Sequence, residues 1–236
     1  MKIVSVISSP SYDGNTAVLV RETMKAARES QATVEEIFLP NMDIRYCRGC
    51  FRCMAEGRCP IADDFESVRG KLLAADGLVF GSPTYGLYPN ALMKNLFDRL
   101  GMFSVYTSAF ADKYVVGIST AGGFGAKQVA KRLTQIVGGM FGSGTVSGTL
   151  GILRGWTRVE KNPKALAQAR GLGRKLVEDI RRGHRYPFQN LFDRLLTALV
   201  VRRVIKRNVL ENRRSRMKAV YENLVSRDLI RRVDPP

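Results

Sequence analysis

The four cysteines of the chain form the group of residues with the clearest chemical meaning. They fall in one run, C-x2-C-x2-C-x5-C, at Cys47, Cys50, Cys53 and Cys59. Compact runs of this kind favour an iron–sulfur cluster, because three closely spaced thiolates surround one side of it and a fourth reaches over. Structural zinc sites usually bring two separated pairs of ligands. We predict one cluster held by four cysteines; a set of free, reactive thiols is the alternative.

Four arginines are interleaved with these cysteines, at Arg45, Arg48, Arg52 and Arg58. Their positive charge would lower thiolate pKa values and offset the negative charge of a cluster with four thiolate ligands. It would also attract an acidic redox partner.

A polar loop after the first apolar run is the second candidate site. The run ends at Ile7, and Ser8 to Gly14 have turn chemistry before a helical pattern begins. Backbone N–H groups at a helix start can hold a phosphate. The candidate contacts are Ser9, Ser11, Gly14, Asn15 and Thr16. The loop matches neither the dinucleotide GxGxxG motif nor the triphosphate GxxxxGK[ST] motif, and plain helix capping explains the same residues.

Two more loops have residues suited to a flat ring. The first, SPTYGLY, includes Pro83, Thr84, Tyr85 and Gly86, and the aromatic face of Tyr85 could stack on a planar group. The second, STAGGFGA, includes Thr120, Gly122 and Gly123, and we expect its glycines to allow a close backbone approach.

The elements that must position these loops alternate between strand and helix. Strand-like runs follow the first one at residues 33–39, 77–81, 114–119 and 145–153, with helical patterns at 17–29, 64–75, 89–102, 126–141 and 163–182. This alternation predicts an α/β fold: a doubly wound, five-stranded parallel sheet with helices on both faces. Ligands bind such sheets beyond the carboxyl ends of the strands, where we expect the three loops to meet.

Composition excludes some chemistry and divides the chain. His184 is the only histidine and lies beyond the predicted sheet, which argues against Ser-His triads and His-ligated metals. The formal charge of +17 is uneven: residues 1–150 have 16 Lys and Arg against 13 Asp and Glu, and residues 151–236 have 22 against 8. The N-terminal part is therefore near neutral (+3) and the C-terminal third strongly basic (+14).

The basic C-terminal third has three possible explanations. Apolar residues recur at helical spacing from Phe188 to Val204, and a second basic helical stretch extends from about residue 208 to 226. The region could be a helical arm that packs on its own core or on another subunit. It could lie on an anionic membrane surface, or bind nucleic acid without a recognised module.

From Asp63 to Leu100 the sequence resembles the NAD(P)H-dependent FMN reductase family of the flavodoxin-like superfamily. The shared pattern consists of Asp63 and Asp64, Asp76 and Gly77, Gly81 to Tyr85, Lys94, Asp98 and Arg99. The pair Asp63–Asp64 is also explained as a helix N-cap followed by a first-turn acid. The resemblance extends over about residues 1–183. One departure is Ser11, where related sequences often have an arginine that contacts the phosphate.

The cysteine spacing resembles the iron–sulfur flavoprotein branch of that family. The resemblance implies FMN on the three loops, a [4Fe-4S] cluster beside it, and NAD(P)H or a ferredoxin as electron donor. It divides the chain into a flavodoxin-like FMN-binding domain (1–183) with a cysteine-rich insert (45–60), and a basic helical extension (184–236). We expect a cytoplasmic homodimer or homotetramer. The rival hypothesis is a redox-responsive binding protein whose basic tail engages a membrane surface or nucleic acid.

Overall fold

A sheet of five parallel strands forms the centre of the computed structural model, which describes residues 1–154, 157–186, 189, 195, 197, 199 and 202–233. The strands are β1 (Lys2–Ile7), β2 (Thr33–Phe38), β3 (Gly77–Tyr85), β5 (Tyr114–Ala121) and β6 (Thr145–Leu153). Their order is β2-β1-β3-β5-β6, and the two-residue β4 (Tyr88–Pro89) pairs antiparallel with the end of β3. Counting only the parallel strands, this is the flavodoxin-like order. The predicted fold class is confirmed.

Helices cover both faces of the sheet, as the sequence predicts. They are α1 (Asn15–Glu29), α2 (Arg52–Glu56), α3 (Phe65–Leu73), α4 (Ala91–Thr107), α5 (Ala126–Leu133), α6 (Pro163–Arg182), α7 (Arg202–Glu211) and α8 (Lys218–Ser226). Helices α1 and α6 bury Leu19 and Leu176 on one face. Helices α3, α4 and α5 bury Leu72, Leu96 and Val129 on the other. Strand β1 is buried from Ile3 to Ile7, including Ser5, which agrees with the apolar character of its other residues.

Several element boundaries differ from the prediction. Strand β3 continues through the predicted loop to Tyr85, because Pro83 still pairs in register with Thr120 of β5. The chain then returns as β4, and α4 begins at Ala91 and extends to Thr107, five residues beyond the predicted end. Helix α5 ends at Leu133; a 3-10 turn (Thr134–Val137) and a glycine-rich stretch replace the helix predicted up to residue 141.

The C-terminal helices pack against the cysteine-bearing part of the same chain. Val209 of α7 and Val220 and Leu224 of α8 are buried with Met54 of α2 and Phe103 of α4. The amphipathic helix predicted from Phe188 to Val204 lies largely outside the described residues. Within the part of the chain that the structure describes, no helix combines the length and the apolar character that a membrane crossing requires.

Candidate functional site

The carboxyl ends of β1, β3 and β5 bring the three predicted loops to one edge of the sheet. Ile7 pairs with Gly81, and Pro83 pairs with Thr120. The Ser8 N–H donates to the Gly81 carbonyl at 2.9 Å. The residues that the sequence analysis selected from distant parts of the chain are therefore neighbours.

The phosphate loop (residues 8–16) ends in a helix start suited to an anion. Helix α1 begins after Gly14, which provides no side chain to cap the first N–H groups. A Cβ atom at Gly14 would lie 2.3 Å from the Oγ of buried Ser9, so the loop is wrapped tightly at this point. Uncapped N–H groups next to a buried hydroxyl fit a phosphate group.

Other polar side chains of this loop already have partners within the protein. The Ser11 hydroxyl donates to Asp13 Oδ1 at 2.6 Å. The Asn15 amide donates to the Thr157 carbonyl and its Oδ1 accepts from the Val159 N–H, so this side chain faces the segment after β6. For Asn15 the backbone N–H is the group left to face a phosphate.

Thr16 connects the phosphate loop to the third loop. Its Oγ1 lies 2.7 Å from the Oγ1 of Thr120, and both residues are buried. Either hydroxyl can donate, so the other O–H of the pair can turn toward a ligand.

An ion pair between Arg158 and Asp13 lies at the rim of the phosphate loop and was not predicted from the sequence. Arg158 Nη2 lies 3.2 Å from Asp13 Oδ2 and 2.6 Å from Glu160 Oε1. The hydrogen bond from Ser11, together with Arg158, lowers the pKa of Asp13. Arg158 thus places a guanidinium beside the loop in which Ser11 replaces the arginine of related sequences. No local pattern marks Arg158, since it comes from a connection more than 140 residues away.

The end of β3 and the third loop pack against each other through small groups. Thr84 Oγ1 lies 2.9 Å from Ser119 Oγ, which donates to the Ser82 carbonyl at 2.7 Å. Gly86 has the positive φ that the turn into β4 requires. The ring of Tyr85 is 57% exposed and therefore accessible for stacking.

The close approach expected at Gly122 and Gly123 occurs at a neighbouring glycine. A Cβ atom at Gly122 or Gly123 would meet no described atom within 4 Å. At Gly125 it would lie 2.6 Å from Leu87 Cδ2, and the φ of +86° also favours glycine. Gly125 is therefore the point of close contact between the third loop and the turn after β3. Gly122 and Gly123 border open space where a flat ring could lie.

Asn90 is a site-forming residue that the sequence analysis missed. It is buried, its amide donates to the Ser8 carbonyl at 2.5 Å, and its N–H donates to Ser82 Oγ at 3.0 Å. Its Oδ1 caps α4 by accepting from the Met93 N–H. The predicted helical pattern begins at residue 89, but an Asn near a helix start signals a cap, and this signal points to the observed start at Ala91.

The cysteine segment (residues 45–60) is held at both ends by one buried ion pair. Asp63 Oδ2 accepts the Arg45 N–H at 2.9 Å and pairs with Arg99 Nη1, while Oδ1 accepts the Phe65 N–H. The side chains of Arg99 and Asp63 are 1% and 0% exposed. Burial would raise the pKa of Asp63, but the hydrogen bond from Arg99 and two backbone N–H groups hold it below its usual value.

The capping role predicted for Asp63 and Asp64 is therefore wrong in part. Asp64 precedes α3, but its side chain makes no cap hydrogen bond and accepts the Asp43 N–H at 2.8 Å instead. Both carboxylates bind the backbone that leads into the cysteine segment. The first-turn acid of α3 is Glu66.

The four cysteines line one cavity of about 310 Å³, together with Arg99, Ile61 and Met102. Cys47 and Cys50 are exposed and Cys53 and Cys59 half-buried. Burial, with the neighbouring thiols, raises the pKa of Cys53 to about 11.

Four thiols around one cavity are a donor set that both zinc sites and iron–sulfur clusters use. No three metal-ligating side chains converge on one ion position among the residues that the structure describes. One zinc would need its ligands within about 2.3 Å of a single point, whereas each cysteine of a four-iron cluster meets a different iron. The apolar cavity, the four thiols and a buried cation agree with the second arrangement.

A family model described as NADPH-dependent FMN reductase matches residues 1–157, which include every loop described above. The chain belongs to this family. It is a family of flavin-dependent oxidoreductases.

Several related proteins are named iron-sulfur flavoproteins. The chain is 40% identical to an iron-sulfur flavoprotein of Methanocaldococcus jannaschii over 99 residues, 42% of this chain and 51% of that protein. It is 27% identical to an iron-sulfur flavoprotein of Archaeoglobus fulgidus over 187 residues, 75% of this chain and 80% of that protein. The chain thus matches only about half of the length of the first relative.

Among solved structures, a flavone reductase superposes with a TM-score of 0.63 at 19% identity, over 79% of this chain and 65% of that one. At this identity the likeness concerns the fold alone, which agrees with the strand order described above.

Proposed function

We propose that the chain is an FMN-dependent oxidoreductase that takes electrons from NAD(P)H or a ferredoxin and passes them to a small-molecule or protein acceptor. The observation that carries this proposal is the uncapped start of α1 at Gly14, beside buried Ser9 and the Thr16–Thr120 pair. These groups would hold the flavin phosphate at the carboxyl edge of the sheet, where open α/β sheets bind their ligands.

The chain's own residues would hold FMN at its two ends. The phosphate would bind to the backbone N–H groups that follow Gly14, those of Asn15 and Thr16, and to the hydroxyls of Ser9 and Thr16. The ring would lie against the edge that Pro83, Thr84, Tyr85 and Gly86 form with Thr120, Gly122 and Gly123. Bound FMN supplies both hydride and single-electron chemistry, so the protein's part is to orient it and admit the donor.

We further propose that Cys47, Cys50, Cys53 and Cys59 hold a [4Fe-4S] cluster. Support comes from their shared cavity and from the buried guanidinium of Arg99 in its wall. N–H donors next to thiolate ligands favour a negative cluster.

Anaerobic reconstitution tests the two cofactors separately. FMN should bind far more tightly than riboflavin, because only FMN has the phosphate; equal affinities would overturn the phosphate site. Iron and sulfide should each approach four per chain. Stoichiometric zinc without sulfide would contradict the cluster. NAD(P)H oxidation with a quinone or free flavin as acceptor then tests the enzyme itself.

The basic C-terminal third supports a second candidate, a redox-responsive binding protein. Residues 151–236 have a net charge of +14, and α7 and α8 pack on the helix that bears Cys53. A change at the cysteines could thereby reach a basic surface. Salt-dependent retention on DNA or anionic vesicles, lost when the chain is truncated after Gly183, would favour this candidate. Retention unchanged by truncation would contradict it.

We also propose a homodimer or homotetramer, as expected for a chain with an amphipathic helical extension. Light scattering of the FMN-loaded protein tests this, and a monomer across micromolar concentrations would contradict it.

A further inference from the structure

Arg99 is buried in a position that leaves part of its guanidinium without a protein partner. Its side chain is 1% exposed, and Nη1 donates to the Arg45 carbonyl at 3.2 Å and to Asp63. Nε and Nη2 are buried and have no hydrogen-bond partner among the described residues. Buried, charged N–H donors are rarely left unpaired, so we expect an acceptor for Nε–H and Nη2–H.

Asp63 is not that acceptor, because it bonds Arg99 only through Nη1 and forms no hydrogen bond with Nε or Nη2. Oδ1 accepts the Phe65 N–H, and Oδ2 accepts the Arg45 N–H as well as Arg99 Nη1. The acceptor must therefore come from the other side of the guanidinium.

The other side of Arg99 is the cysteine cavity. Arg99 lines it together with all four cysteines and Asp98. Burial alone would lower the pKa of Arg99, but Asp63 and a Cys59 thiolate raise it. Besides the Asp98 carboxylate, which pairs with Lys94, sulfur atoms are the side-chain acceptors that line this cavity.

We propose that Nε–H and Nη2–H of Arg99 donate hydrogen bonds to sulfur in the cysteine cavity, either the Cys59 thiolate or a bridging sulfide, and that Arg99 thereby sets the reduction potential of the cluster. This inference rests on the proposed [4Fe-4S] site. Hydrogen bonds to the sulfurs stabilise the more negative, reduced cluster and raise its potential.

The effect is directional and specific to this arginine. Asp63 neutralises the charge of Arg99, so what remains for the cluster is the pair of N–H dipoles aimed at it. The interleaved Arg45, Arg48, Arg52 and Arg58 are all exposed, and water and salt screen their charges. Arg52 is moreover paired with Glu56 at 2.7 Å.

The test is Arg99→Lys, which keeps a cation for Asp63 but removes the two donors. Arg170→Lys is the matched control, since Arg170 is ion-paired with Glu22 and Glu29 on α1, away from the cavity. Each protein is reconstituted anaerobically, assayed for iron and sulfide, and titrated against redox mediators with an EPR readout. Thermal melting of the cluster-free proteins reports folding.

We expect Arg99→Lys to bind a full cluster with a more negative midpoint potential. At a fixed potential its reduced-to-oxidised ratio should fall about tenfold, equivalent to about 59 mV for a one-electron couple. Arg170→Lys should titrate like the wild type. If Arg99→Lys fails to fold, the double variant Asp63→Asn/Arg99→Gln, which removes both charges together, should show the same direction of shift.

Two results would overturn the inference in distinguishable ways. A full cluster with an unchanged potential in Arg99→Lys, or in the double variant, would remove the role of Arg99 and leave the cluster site standing. Absence of iron and sulfide from the reconstituted wild type would remove the cluster and this role together.

Discussion

The phosphate loop and the cysteine segment reach their geometry by different routes. The phosphate loop joins β1 to α1, two elements packed in the core, and backbone hydrogen bonds such as Ser8 N–H to Gly81 fix it. The cysteine segment contains one five-residue helix and is fixed by side chains from outside it: Asp63 and Arg99 bind Arg45, and Glu66 and Arg69 of α3 bind the backbone of Cys59 and Gly57. The position of the phosphate loop follows from the order and packing of the strands and helices. The position of the cysteine segment depends on a few polar side chains.

The largest expected effect is on the cysteine segment. Asp63→Ala leaves the buried charge of Arg99 without its partner, which should lower the free energy of unfolding by about 3–5 kcal/mol. Urea denaturation followed by circular dichroism measures it. Glu178→Ala, which breaks an exposed pair with Arg182 on α6, is the control and should cost less than about 1 kcal/mol. Equal midpoints for the two variants would show that the ion pair does not hold the segment.

Lowering the pH should weaken the Asp63–Arg99 ion pair. The loss of stability should be smaller than in Asp63→Ala, because a protonated carboxyl still fills the space. The pKa of Asp63 is lower in the folded chain than in the unfolded one, so its stabilisation is complete above the unfolded value of about 3.9. It is lost as pH falls through the folded pKa. Unfolding free energies from pH 5 to pH 2.5 should therefore fall more steeply for wild type than for Asp63→Asn. Parallel curves would contradict this.

At the phosphate loop the expected effect is on affinity. Thr16→Ala removes a buried hydroxyl from the Thr16–Thr120 pair and should weaken FMN binding by about 1–3 kcal/mol. Fluorescence titration with FMN and with riboflavin measures it. Riboflavin should lose less affinity than FMN, and Thr16→Ser should restore most of the loss. A similar loss for both flavins would show that Thr16 acts on the ring or on the fold.

The smallest effect is expected at Gly14. Gly14→Ala places Cβ against the Ser9 hydroxyl, which can rotate away, so the fold should survive. FMN should bind more weakly by roughly 0.5–1.5 kcal/mol, the value of one displaced hydrogen bond. Gly70→Ala on α3, where the Cβ atom meets no described atom within 4 Å, should leave FMN affinity unchanged. Identical affinities for both variants would exclude the Ser9 hydroxyl from the site.

The sequence predicts the phosphate loop and its surroundings better than it predicts the contacts that hold the cysteine segment. The sheet, its helices and the meeting of the three loops follow from local apolar periodicity and from the packing rules of parallel strands. Asp63 was assigned to a helix cap because its neighbours in sequence suggest one. Its partner Arg99 lies 36 residues away, and nothing local signals that contact. Arg158 escaped prediction for the same reason.

Helix α4 connects the two candidate sites. Its cap, Asn90, binds Ser8 and Ser82 at the edge of the sheet proposed to bind flavin (the flavin edge), and nine residues later Arg99 lines the cysteine cavity. At a rise of 1.5 Å per residue, these positions are about 14 Å apart along the axis. The spacing between the two sites is therefore set by a residue count within one helix. One inserted residue between Asn90 and Arg99 would advance the guanidinium by about 1.5 Å and rotate it by about 100° away from the cysteines, while the flavin edge stayed in place.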